Sequence, residues 1–283
     1  MPLPFRKIPR LSSWRRLALH AWPAPRDSTV YSTLQIDMTE AQQFLEQLRR
    51  ESGYRVTPTH LVAKAIATAL HRYPESNAIV RRGWVYQRES VDVFIQVVSD
   101  EGEDLSGIKV EHADRKSVVE IARELAERAE RIRAHRDPEL ERTKGMLDRV
   151  PNFLLGAMMK LTEFATHGLG LDLTRFGLKP DPFGTVMVSN IGTFGIDWAL
   201  APLVPFSRCA IVLLVGTVQP RPLVVDGQVM ARPVLIVGVT FDHRLLDGAQ
   251  SARLAKVVCD VIAHPAAHLQ EERAGSSELR QPT

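Results

Sequence analysis

The chain has 283 residues, a hydrophobic fraction of 45% and a formal net charge of +3. This length and apolar content are enough to bury the core of one large domain. The small net charge gives no reason to expect nucleic acid as a partner, and no apolar run approaches the roughly 20 residues that span a bilayer.

The first part of the chain predicts a strand followed by two helices. Residues Thr29–Asp37 alternate in polarity like a strand. A helix is predicted over Glu40–Glu51, with Thr39 as its N-terminal cap and Gly53 at its end. A second helix with a broad apolar stripe is predicted over Pro58–Tyr73, and such a stripe indicates packing on a sheet.

A hairpin, two strands and a charged helix are predicted next. The predicted segments are Asn77–Val80 and Trp84–Gln87 for the hairpin, Val91–Val98 and Ile108–His112 for the strands, and Ser117 to about His135 for the capped helix. The charged residues of this helix are typical of a solvated helix face.

An insertion of helical character is predicted at about residues 137–181. Its apolar residues Phe153, Ala157, Leu161 and Phe164 recur at helical spacing. Three interpretations remain open for this stripe: packing on its own domain, an oligomer contact, or a membrane-surface element. We rank them in that order, because burial in the protein's own core is the commonest fate of such stripes.

The rest of the chain predicts further strands that lead to one polar turn. The predicted segments are a loop over Trp198–Phe206, a strand over Ala210–Val218, a ribbon around Asp226–Gly227, and a buried strand over Val234–Phe241. A polar turn and a helix with Ala252 and Leu254 toward the core then follow. Residues 266–283 are mostly polar and predict a C-terminal tail.

The polar turn contains the first candidate site residues, His243 and Asp247. A histidine at a strand end can take up a proton near pH 7, and a carboxylate nearby can orient it. On spacing alone, a strand-turn-helix junction in which Asp247 caps the helix is the more common explanation. Both interpretations remain open on spacing alone.

Strands interspersed with helices predict an α/β (α+β) two-layer sandwich, with a mixed sheet and helices on one side. One catalytic domain is predicted over residues 1–265. The sequence contains no metal-ligand spacing, so no metal is expected. Cys209 and Cys259 lie in apolar stretches and predict reduced thiols, which favours a cytoplasmic location.

Two sequence segments resemble a known family. Val239–Ala249, VTFDHRLLDGA, resembles the signature of the dihydrolipoyl acyltransferase catalytic domains of 2-oxoacid dehydrogenase complexes. Gly184–Ile196, GTVMVSNIGTFGI, is similar to a second motif of that family. The resemblance implies a fold like that of chloramphenicol acetyltransferase, an acyltransferase activity, and a homotrimer whose active sites are shared between neighbouring subunits.

The resemblance also implies roles for three residues. His243 would be the general base that deprotonates the attacking thiol, and Ser189 would donate a hydrogen bond to the oxyanion. Asp247 would hold the geometry around His243 through a cation, with Arg15 or Arg16 as its partner. The substrates would be coenzyme A thioesters or a dihydrolipoyl group, and no tightly bound cofactor is expected.

The chain departs from the family pattern in ways that affect its substrates and partners. No lipoyl domain is seen before residue 1, so a lipoyl donor is expected on a separate carrier protein or on 2-oxoacid dehydrogenase components. Phe94 and Gln96 stand where small residues are common, and the strand Asp104–His112 is altered, which puts the width of the substrate channel in doubt. The polar tail favours trimers that assemble no further. The alternative is a non-catalytic scaffold or regulator that uses the segment 137–181 to bind a partner or a membrane surface.

Overall fold

The computed structural model describes residues 27–99, 104–134, 150–168 and 181–269. The strands are β1 (Thr29–Asp37), β2 (Ala78–Arg81), β3 (Trp84–Gln87), β4 (Val93–Ser99), β5 (Asp104–Val110), β6 (Val186–Asn190), β7 (Ile211–Val225) and β8 (Gln228–Asp242). The helices are α1 (Thr39–Ser52), α2 (Pro58–Arg72), α3 (Val118–Arg133), α4 (Asn152–Glu163), α5 (Gly248–Ala263) and α6 (Pro265–His268). None of these helices is long and apolar enough to cross a bilayer.

Six strands form one mixed sheet in the order β1-β8-β7-β6-β4-β5, and β2 pairs with β3 in a separate hairpin. The pairs β4/β6 and β6/β7 are parallel, and the other pairs are antiparallel. The predicted mixed sheet and the predicted hairpin are therefore confirmed.

The two faces of the sheet are covered differently. Apolar side chains of α1, α2, α3 and α5 pack on one face and form the main core. The other face carries a small apolar cluster beneath the loop that follows β6. This loop lies so close to the sheet that a Cβ on Gly216 would fall 1.7 Å from the Asp197 carbonyl oxygen, and one on Gly238 would fall 1.9 Å from that of Ala199. The predicted arrangement of helices on one side is confirmed.

Three local predictions were wrong. Met38, not Thr39, is the N-cap of α1, because the Asp37 carboxylate accepts hydrogen bonds from the Thr39 N–H at 2.8 Å and hydroxyl at 2.5 Å. The strand β5 ends at Val110, and His112 lies in a turn with a φ of 49°. Ala252 is exposed on α5, because Val257 and Val261 take the positions that face the core.

The apolar stripe of α4 points outward, so the favoured prediction that it packs in the core of its own domain was wrong. Phe153, Leu161 and Phe164 are 82%, 68% and 59% exposed. On the opposite side of the helix, Leu155 and Met158 are half-buried, and Glu163 pairs with the guanidinium of Arg208.

The strands β7 and β8 continue beyond the sheet as a two-stranded ribbon. Each strand has 15 residues, but β6 pairs only with residues 211–215 and β1 only with residues 234–242. Asp226 and Gly227, with φ of 51° and 77°, form the tight turn at its tip. Pro220 lies opposite Pro233 within the ribbon, and Pro222 lies opposite Ala231. The predicted ribbon is confirmed.

Candidate active site

His243 lies directly after β8, in the turn that leads to α5. Its backbone N–H donates a hydrogen bond to the Ser28 carbonyl oxygen at 2.8 Å, which ties the turn to the start of β1. The imidazole is exposed, and its centroid lies 6.4 Å from that of the Phe241 ring. The fold therefore holds the backbone of this residue while its ring remains accessible to substrate or to another molecule.

Asp242 braces this turn from inside the protein. Its buried carboxylate accepts a hydrogen bond from the Ser28 hydroxyl at 2.9 Å and pairs with the Arg244 guanidinium at 2.6 Å. Burial works to raise the pKa of Asp242, but the hydrogen bonds from Arg244 and Ser28 outweigh it and hold the pKa below its usual range. Sequence reasoning missed this role, although a carboxylate at the end of an apolar strand was a signal for a buried hydrogen-bonding group.

Asp247 is the N-cap of α5. Its side chain accepts a hydrogen bond from the Gln250 N–H at 2.8 Å, and its own N–H donates to the Gln250 side chain at 3.0 Å. This capping box is the structural interpretation that the spacing had left open. Within the described residues no hydrogen bond joins Asp247 to His243, and the expected partners Arg15 and Arg16 lie outside them.

Ser189 lies at the carboxyl end of β6 and is half-buried. The next residue, Asn190, anchors this strand end, because its side-chain amide donates to the Thr59 hydroxyl at 2.8 Å and its amide oxygen accepts from the Thr193 N–H at 3.2 Å. The strand end is thus fixed to the first turn of α2, and the position of Ser189 is fixed with it.

The start of α2 also contains a histidine with a strongly shifted pKa. The His60 ring accepts a hydrogen bond from the Thr57 N–H at 3.0 Å and completes the capping box of this helix. Burial, followed by the positive charges of Arg49 and Arg55, lowers the pKa of His60 to about 4. The ring is therefore neutral at physiological pH and serves as a hydrogen-bond acceptor.

A single protomer does not bring Ser189 and His243 together. Ser189 pairs with Leu214 of β7, and Leu214 pairs with Gly238 of β8, five residues before His243. With about 3.3 Å per residue along a strand and about 4.8 Å between strands, the two Cα atoms lie roughly 19 Å apart. Chemistry that needs both side chains requires the serine of one copy and the histidine of another.

Phe94 fills space on the face of the sheet that bears the loop. Its ring stacks edge-on against Phe183, with centroids 4.9 Å apart, and a Cβ on Gly107 would fall 2.1 Å from the Phe94 ring. Gln96 follows on the same strand and pairs with Gly107. The two positions that departed from the family pattern therefore lie on the same face, next to the end of β6.

The two cysteines are free and take no part in this arrangement. Burial raises the pKa of the Cys209 thiol to about 11, so this group is not a nucleophile at neutral pH. Among the described residues, no three His, Cys, Asp or Glu side chains are placed to hold a metal ion.

Comparison with known proteins identifies relatives over most of the chain. The family model described as 2-oxoacid dehydrogenases acyltransferase (catalytic domain) matches residues 25–146 and 179–270. The dihydrolipoyllysine-residue acetyltransferase component of the pyruvate dehydrogenase complex of Staphylococcus epidermidis is 27% identical over 237 residues, which are 83% of this chain. The corresponding Staphylococcus aureus protein is 27% identical over 228 residues, which are 80% of this chain. The chain spans only 45% and 43% of these two relatives.

Two solved structures have the same fold. A probable dihydrolipoamide acetyltransferase from Listeria monocytogenes superposes with a TM-score of 0.62 at 19% identity, covering 92% of this chain and 94% of that one. The cubic core of the pyruvate dehydrogenase multienzyme complex superposes with a TM-score of 0.63 at 21% identity, covering 86% and 84%. At these identities the likeness shows the fold alone.

Proposed function

Because the chain belongs to the 2-oxoacid dehydrogenase acyltransferase (catalytic domain) family, we propose that it transfers an acyl group from a thioester to a thiol acceptor. The observation that carries this proposal is the exposed imidazole of His243, on a turn fixed by the Ser28 and Asp242 hydrogen bonds. A base in this position can approach a thiol on a separate substrate molecule.

In the proposed mechanism, His243 accepts the proton of the attacking thiol, because a free thiol with a pKa near 8.5 is mostly protonated at neutral pH. The sulfur then forms a bond to the thioester carbon, and the carbonyl oxygen becomes negatively charged. The Ser189 hydroxyl donates to that oxygen, an interaction worth about 3 to 4 kcal/mol in the transition state. Collapse breaks the original carbon–sulfur bond, and the leaving thiolate recovers the proton from His243.

We propose that the active unit is a homotrimer in which Ser189 and His243 come from neighbouring copies. The separation of roughly 19 Å within one chain supports this arrangement, since neither residue completes a site alone. Coenzyme A and a dihydrolipoyl group on another chain are the proposed thiol substrates. The staphylococcal relatives are components of pyruvate dehydrogenase complexes, so we propose 2-oxoacid dehydrogenase components as partners, in the cytoplasm.

The test is transfer between short-chain acyl-coenzyme A thioesters and dihydrolipoamide, measured as release of free coenzyme A by the purified wild-type protein. We expect the wild type to release coenzyme A and His243→Ala to release none. Absence of release with every acyl group, together with no thermal stabilisation by millimolar coenzyme A, would overturn the proposal. A ligand at a hundred times its Kd adds about 2.7 kcal/mol to stability, which a thermal shift detects.

The outward face of α4 favours a second candidate function. Phe153 and Leu161 are largely exposed, as expected of a surface that binds a partner protein or a membrane surface. The chain would then be a non-catalytic scaffold or regulator. Self-association and binding to anionic vesicles, compared between the wild type and Phe153→Glu, test this candidate. Loss of vesicle binding in the variant, together with no acyl transfer by the wild type, supports this candidate. Loss of self-association alone does not support it, because the proposed catalytic trimer also self-associates, and identical behaviour without binding contradicts it.

A further inference from the structure

Gln96 is the polar neighbour of Ser189 on the loop-bearing face of the sheet. The parallel register of β4 and β6 pairs Phe94 with Met187 and Ile95 with Val188. Continuing that register by one residue places Gln96 beside Ser189, at the strand spacing of about 4.8 Å. Since side chains alternate along a strand, both lie on the face that carries Phe94 and Met187, away from the helices.

The surroundings of this pair are apolar. Phe94 and Met187 lie on one side of it, and Leu214, which pairs with Ser189, lies on the other. Both polar side chains are half-buried, and within the described part of the chain neither forms a side-chain hydrogen bond. Polar side chains at adjacent strand positions in an apolar setting are typical of a ligand-binding site.

We propose that the side-chain amide of Gln96 is a second hydrogen-bond donor, beside the Ser189 hydroxyl, to the carbonyl oxygen of the thioester. This inference rests on the proposed acyl transfer. As bond formation places negative charge on that oxygen, two neutral donors at adjacent strand positions share it between them. A glutamine amide donates without titrating, so its contribution does not change with pH.

The side-chain length of glutamine suits this task. From a neighbouring strand about 4.8 Å away, the two-carbon linker of glutamine is long enough to bring the amide toward the Ser189 hydroxyl, which a small residue at position 96 could not do. Gln96 pairs with Gly107 on β5. Because Gly107 has no side chain, the Phe94 ring occupies the space above it. Phe94 therefore limits the freedom of Gln96 on the side away from Ser189.

The experiment compares Gln96→Met and Gln96→Glu with the wild-type trimer in the transfer assay. Met preserves the volume and removes the donor, so kcat is expected to fall by about a hundredfold to a thousandfold. Glu preserves the shape but places a carboxylate against the oxyanion, so a larger loss is expected at pH 7. That loss should shrink as the pH falls and the carboxyl becomes protonated, because the protonated group donates again.

Gln43→Met, on the exposed side of α1, is the matched control and is expected to keep wild-type kcat. Combining Gln96→Met with Ser189→Ala should cost less than the product of the two separate effects, because both groups serve one oxygen. If the wild type transfers acyl groups and Gln96→Glu matches it at every pH, the role of Gln96 is overturned and the proposed function stands. If the wild type transfers nothing, the proposed function itself fails, and this inference fails with it.

Discussion

Ser189 and His243 lie at opposite ends of the central strands of one protomer, roughly 19 Å apart by strand geometry. A site that needs both residues must therefore draw them from two copies, which mixing of variants can test. A variant that lacks only the base and a variant that lacks only the oxyanion donor each retain one intact half of the shared site.

We expect His243→Ala to lower kcat by about a hundredfold to ten-thousandfold, the usual contribution of a general base, while the oligomer persists. Ser189→Ala should also have a much lower kcat than the wild type. When the two variants are unfolded together and reassembled, about a quarter of the shared sites should combine the intact histidine with the intact serine. Activity should then rise well above that of either variant treated alone. No recovery in mixed oligomers of the correct size would contradict a site shared between copies.

Stability should depend on pH through His60. Its pKa in the folded state is about 4, below the unfolded value near 6.5. The unfolded chain therefore binds the proton more readily, so the contribution to stability is present above pH 6.5 and is lost as the pH falls toward 4. We expect a loss of about 2.5 kcal/mol across that window. Denaturant unfolding of the wild type and of His60→Gln should show a weaker pH dependence in the variant, and equal slopes would contradict the prediction.

The two interpretations of Asp247 can be separated by comparing it with another helix cap. Asp247→Ala removes the cap of α5, and Ser117→Ala removes the equivalent capping box of α3. Each should lower the free energy of unfolding by about 1 kcal/mol. If Asp247 also orients the turn of His243, only Asp247→Ala should lower kcat more than tenfold at a temperature where both variants are folded. Equal kcat in the two variants would leave Asp247 with a capping role alone.

The close approach of the loop to the sheet predicts that Gly216→Ala and Gly238→Ala are destabilising. The added Cβ would fall 1.7 or 1.9 Å from a backbone carbonyl oxygen, so the loop must move. We expect each to cost about 1 to 3 kcal/mol, as overpacking does. Gly156→Ala is the control, since nothing lies within 4 Å of its added Cβ and α4 should gain about 0.5 to 1 kcal/mol. Wild-type stability in Gly216→Ala would contradict the tight seating of the loop.

Much of the fold could be predicted from sequence because the signals were local. The ribbon turn at Asp226–Gly227 and the cap at Ser117 depend on residues within a few positions of one another. The side of α4 that faces the domain could not be predicted, because contacts such as that of Glu163 with Arg208 join residues 45 positions apart. The Ser28–Asp242 brace joins residues 214 positions apart. No periodicity within either segment could indicate such contacts.

The prolines of the β7–β8 ribbon protect the protein from uncontrolled strand addition. Within the described residues, the Met38 N–H donates to the Pro233 carbonyl oxygen at 2.8 Å, and beyond Pro233 the outer part of the ribbon pairs only with itself, so its edges there offer backbone groups to passing chains. Pro220 and Pro222 have no N–H to donate there, and proline at an exposed edge is a common natural defence against aggregation. The ribbon can therefore extend beyond the sheet while offering fewer N–H donors to an added strand.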